Sequence, residues 1–201
     1  MSAEKKSAII LAAIALSEGC WVYFNVRYSF RGFMRYTGFA SNDAGAVGWI
    51  LGIAVAIGFI ALAARLPSVH QNLFRPSFLK LLALAVAVTA GLCEECIFRK
   101  WFMDYLQHGG TGVVLQVLAS GAVFGLAHGV WGFFRGSLAA GIGATLATGV
   151  LGLALGIVYV TSHRIVAPAI FAHFLINLFA EPGLVLAAVK GEMGRRNPTT
   201  S

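Results

Sequence analysis

Apolar residues in this chain fall into long blocks, with the polar ones gathered between them. Residues 7–24, 44–64, 78–106, 112–134, 138–161 and 165–180 form six such blocks. Each runs at or near the roughly 20 residues that an α-helix needs to cross a bilayer. The segment 65–77 carries Pro67 and Pro76, His108-Gly109-Gly110 closes the third block, and Glu181-Pro182-Gly183 interrupts the pattern before a short apolar piece, 184–189. Proline and glycine at those places predict helix ends. Between the first two blocks, residues 25–43 place Arg27, Arg31 and Arg35 every four positions among Tyr28, Phe30, Phe33 and Met34. That spacing makes a basic helical stripe suited to the membrane interface. The pattern therefore predicts an all-α, polytopic transmembrane bundle of about six to seven membrane helices plus an interfacial helix.

Composition sharpens this picture. Of the 201 residues, 58% are hydrophobic and only 11% charged, against about 25% charged in a soluble domain. One membrane domain over 1–190 accounts for the apolar pattern, with a catalytic core at about 78–180 and a polar tail at 191–201. A net charge of +7 invites a nucleic-acid partner, but the basic residues sit between apolar blocks, where they suit lipid headgroups. The bilayer is the expected partner, nucleic acid is not, and the expected location is the cell membrane. The first block resembles a signal peptide but runs on into Trp21 and Tyr23 without a small-residue cleavage site, so it reads as a retained span. Three cysteines, Cys20, Cys93 and Cys96, make no disulfide framework, and Cys93 and Cys96 lack the second pair a zinc motif requires. Gly121, Gly125 and Gly129, and likewise Gly152 and Gly156, stand four apart and read as close helix packing.

Candidate chemistry lies in charged groups that a lipid solvent penalises. An ionised side chain near the bilayer centre costs at least about 2.5–3.5 kcal/mol. The third block nevertheless contains Cys93-Glu94-Glu95-Cys96-Ile97-Phe98-Arg99. Glu95 and Arg99 stand at i and i+4, the favourable order for a helical ion pair, so Glu95 has a structural reading. Glu94 points about 100° away and has no such local partner. The fourth block puts Phe124 and His128 on one helical face, and the sixth does the same for His173 and Asn177. At 1.5 Å per residue, Glu94 lies roughly 18 Å before Leu106 and His128 roughly 24 Å after Gly112, while His173 lies roughly 12 Å beyond Ile165. These three positions fall at similar depths measured from one membrane face.

The ordered set E-E-x-x-x-R, F-x-x-x-H and H-x-x-x-N on three apolar helices resembles the CAAX-protease and bacteriocin-processing family of intramembrane endopeptidases. The likeness covers about residues 78–180. It implies hydrolysis of peptide bonds in membrane-associated substrates, of which prenylated CAAX-type peptides are one branch. It also implies roles: Glu94 with His128 activates water, His173 and Asn177 stabilise the oxyanion, and Glu95, Arg99 and Phe124 support them. Glu94, His128 and His173 also make a candidate three-ligand zinc site with an open position. The resemblance leaves glutamate-type and zinc-dependent chemistry both open. A proton-coupled transporter using Glu94, His128 and His173 as a relay is an alternative of a different class. A non-catalytic immunity or scaffold protein is another.

Overall fold

The computed structural model describes residues 1–40, 43–130 and 138–192. Within them all the regular secondary structure is helical. The first helix, α1 (Ala3–Tyr28), is capped by Ser2, whose Oγ accepts the Lys5 amide. Ser29, in extended conformation, ends α1 and caps α2 (Phe30–Thr37) by accepting the Gly32 amide at 3.0 Å. The basic stripe expected over 25–43 is thus split, because one serine serves both helices: Arg27 closes α1 while Arg31 and Arg35 ride on α2. Phe33 anchors α2 edge-on to Trp21 of α1. Then come α3 (Gly45–Ala63) and the short α4 (Pro67–Asn72), the latter inside the segment expected to be a polar connection.

A long helical stretch from Phe78 to His108 follows, as expected, but it is not uniform. The α-helix α5 (Phe78–Glu95) passes into a π-helical turn over Cys96–Trp101 and resumes as α6 (Phe102–His108). Turns of that kind cost hydrogen-bond geometry and need support from outside. Here Ser120 Oγ donates to the Phe98 carbonyl at 2.9 Å. Next are α7 (Val113–His128), α8 (Leu138–Thr161) and α9 (Ala167–Lys190). The fourth block was expected to run to residue 134, and its last part, like residues 193–201 of the expected polar tail, lies outside the described residues.

Five described stretches are long and apolar enough to span a membrane (α1, α3, α5 through α6, α8 and α9), and α7 is a shorter apolar helix. Helices satisfy their own backbone groups, which is why lipid accepts such a bundle. The central helix is α9: 61% of its apolar window is buried, against 11% for α1 at the periphery. Between α7 and α8 the glycines do what their spacing implied. A Cβ on Gly125 would lie 2.5 Å from the Thr145 carbonyl oxygen, and one on Gly152 2.9 Å from Gly121 Cα.

One expected break does not occur. Glu181-Pro182-Gly183 was read as ending the sixth span, yet α9 runs through it to Lys190. Proline inside a helix removes the bond to the carbonyl four residues back, here that of Leu178. The Lys80 ammonium supplies the missing donor, at 2.9 Å from the Leu178 oxygen and 3.5 Å from that of Phe179. Gly183 admits α4 to the same place, since a Cβ there would lie 2.4 Å from Val69 Cα. In the first turn of α6, Asp104 gathers Tyr159 Oη (2.7 Å), Arg164 Nη2 (2.7 Å) and Lys100 Nζ (3.1 Å), and Arg164 also donates to Gln116. That cluster ties α6, α7 and α8 together beside the entry to α9.

Candidate active site

Three helices bring the sequence-selected side chains together. Glu94 and Glu95 close α5 just before the π turn, Phe124 and His128 occupy the last two turns of α7, and His173 and Asn177 lie in the first half of α9. Glu95 and Arg99 are fully buried, with Oε2 and Nε 3.1 Å apart in an ion pair. The other Glu95 oxygen accepts from His173 Nδ1 at 2.8 Å. Glu95 therefore joins two helices, a role wider than the brace within its own helix that the i, i+4 spacing indicated. Arg99 also donates to the Gly152 carbonyl at 3.3 Å and stacks over Phe124, 4.4 Å from the ring centroid.

Phe124, 1% exposed, is the hub of the aromatic packing. Its ring centroid lies 4.5 Å from that of His128 and 5.9 Å from that of His173, with Phe98 edge-on at 5.2 Å. The Phe124 carbonyl accepts from His128 Nδ1 at 2.9 Å. A carbonyl has no proton to give, so His128 carries its hydrogen on Nδ1 and presents a bare Nε2 when neutral. Both imidazoles thus have Nδ1 anchored and Nε2 turned to one point. Glu94 Oε2 stands there, 3.8 Å from His128 Nε2 and 3.8 Å from His173 Nε2. That carboxyl oxygen has no hydrogen-bond partner among the described residues.

A cavity of about 760 Å³ opens onto this point. Its walls are mainly apolar side chains of α1, α5, α7, α8 and α9, and Glu94, His128, His173 and Asn177 all line it. Sequence reasoning missed two further acids in the same wall. Glu18 of α1 faces Glu94 and Thr89, and Glu181 of α9 faces Glu94 and His173. A signal for each existed. Glu18 is an acid within an apolar span, and Glu181 stands one turn beyond Asn177 on the His173 face, but the following Pro-Gly directed attention to a break.

The separations of Glu94, His128 and His173 do not match a zinc site. Tetrahedral zinc with bonds near 2.1 Å holds its donor atoms about 3.4 Å apart, closer than the 3.8 Å found on either side of Glu94. Among the described residues no three His, Cys, Asp or Glu side chains are disposed to hold a metal ion. Cys93 and Cys96 are buried and free.

Comparison with curated proteins and with solved structures returns no match. A family model does match: type II CAAX prenyl endopeptidase Rce1-like, over residues 76–179, just over half of the chain. The matched stretch begins just before α5 and ends within α9, so it contains Glu94, Glu95, Arg99, Phe124, His128, His173 and Asn177 and omits α1 to α4. The chain, a helical integral membrane protein, therefore belongs to the type II CAAX prenyl endopeptidase Rce1-like family, the membrane-embedded CAAX proteases.

Proposed function

We propose that this protein is an intramembrane endopeptidase that hydrolyses membrane-associated, CAAX-type prenylated peptides with water activated by Glu94 and His128. The observation that carries this reading is the convergence of two imidazole Nε2 atoms on Glu94 Oε2 at 3.8 Å each. Two acceptors at that separation suit one water hydrogen-bonded to both at ordinary lengths of about 2.8 Å. The water oxygen attacks the scissile carbonyl carbon while its proton passes to Glu94. Negative charge then develops on the carbonyl oxygen. Protonated His173, its Nδ1–H held by Glu95, has Nε2–H left to donate to that oxygen, and the Asn177 amide supplies a second donor. Collapse of the tetrahedral species breaks the C–N bond, and the proton taken from water leaves on the departing amine. Glu95, Arg99 and Phe124 hold His173 and His128 at their stations.

Cleavage of a farnesylated CAAX reporter peptide by the purified chain in nanodiscs tests the reading. Glu94→Gln is expected to lower turnover by at least about 10³-fold with an unchanged size-exclusion profile and helical circular dichroism. Undiminished turnover in that variant would remove Glu94 from the chemistry.

A further inference from the structure

Glu18 and Glu181 are the two acids of the cavity wall that the peptidase reading leaves unused. Both line the cavity beside Glu94, from α1 and α9 respectively. Both fall outside the stretch matched by the family model. Among the described residues neither forms an ion pair, and no described lysine or arginine lines the cavity. The nearby cations are already engaged, Arg99 by Glu95 and Lys80 by the carbonyls freed at Pro182. Glu18 Oε2 is sealed from solvent and has no hydrogen-bond partner among the described residues. One turn before Glu181, Asn177 is 7% exposed, its side-chain amide makes no hydrogen bond among the described residues, and it lines the same cavity.

Carboxyl groups set in an apolar wall without a counter-charge are costly to retain. The ligand that relieves this cost brings a cation on an apolar stem, so that the stem lies along the wall and the charge meets the acids. Lysine and arginine side chains have that form. An extended peptide advances roughly 3.3 Å per residue, so a carbonyl placed over Glu94 puts side chains one or two positions away beside Glu18 and Glu181. We propose, resting on the peptidase reading, that Glu18 and Glu181 select substrates bearing a lysine or arginine within a few residues of the scissile bond.

The test uses the full chain in nanodiscs and farnesylated CAAX-type peptides that differ only in one lysine, arginine or glutamine, walked position by position around the prenylated cysteine. Turnover and equilibrium binding by fluorescence anisotropy are measured on the same peptides. At one or two positions the basic peptide is expected to exceed the glutamine peptide about 10- to 100-fold in kcat/KM and in affinity. Glu18→Gln and Glu181→Gln should each bring that ratio toward one, and Glu18→Asp and Glu181→Asp should restore much of it. Glu181→Lys should transfer the preference to a peptide with glutamate at that position. Equal cleavage and binding of basic and neutral peptides at every position overturns the selection and leaves the peptidase reading intact. Tight, Glu18- and Glu181-dependent binding of basic peptides without cleavage does the reverse. A ratio unmoved by all the Glu18 and Glu181 variants also overturns the proposal.

Discussion

At the scale of single residues, burial separates the acid to which the proposed mechanism gives the chemistry from the pair proposed to hold the site. Glu95 and Arg99 are wholly enclosed and their charges answer one another, whereas Glu94 keeps partial exposure to the cavity and an oxygen without a partner. Removing one member of an enclosed pair strands the other, at a cost of about 3–5 kcal/mol. Arg99→Met is therefore expected to lower the stability of the bundle in detergent by that order, measured by thermal unfolding, and to lose activity through misfolding. Asn177→Ala should behave differently. With its fold retained, it is expected to lower kcat by about 10²-fold or more while KM changes little, since in the proposed mechanism its amide acts on charge that exists only in the transition state. Steady-state kinetics with the farnesylated reporter separate the two outcomes.

Among elements, α9 shows how a local rule yields to a distant side chain. Pro182 removes an amide that Leu178 would have used, and Lys80 of α5 answers from across the helix pair. The dependence is reciprocal and testable by a double-mutant cycle. Lys80→Met alone should cost about 1–3 kcal/mol, the usual penalty for a buried acceptor left unsatisfied. In a Pro182→Ala background, where the helix supplies its own donor, the same change should cost clearly less. Equal costs in both backgrounds would show that Lys80 does not serve the proline. Close packing of α7 on α8 is as exacting: Gly125→Leu should destabilise the bundle, since even a Cβ meets the Thr145 carbonyl oxygen and Gly149 backbone. That packing sets the last turns of α7, and with them His128, against the cavity.

For the molecule as a whole, the site depends on helices far apart in sequence keeping a common depth. The Asp104 cluster, where Tyr159, Arg164 and Lys100 meet one carboxylate, locks the first turn of α6 to α8 and to the chain entering α9. Asp104→Ala is expected to cost about 2 kcal/mol or more in stability and to reduce turnover, although Asp104 does not line the cavity. A variant with wild-type thermal stability and turnover would show the lock to be dispensable.

What the sequence by itself determined is whatever follows from local periodicity and from the cost of charge in lipid. Long apolar blocks specify membrane helices because backbone groups in hydrocarbon must bond within their own segment. The spacings of Phe124 with His128 and of His173 with Asn177 place each pair on one face of a helix, and an acid pair in an apolar block marks itself. Tertiary structure alone decided what needed a partner from elsewhere. Glu95 reaches His173 across 78 residues, the π turn rests on Ser120, and α9 survives its proline through Lys80. Glu18 and Glu181 belong to the cavity only because α1 and α9 face α5. Each of these depends on which helices are neighbours and at what depth, and no residue pattern within one helix carries that information.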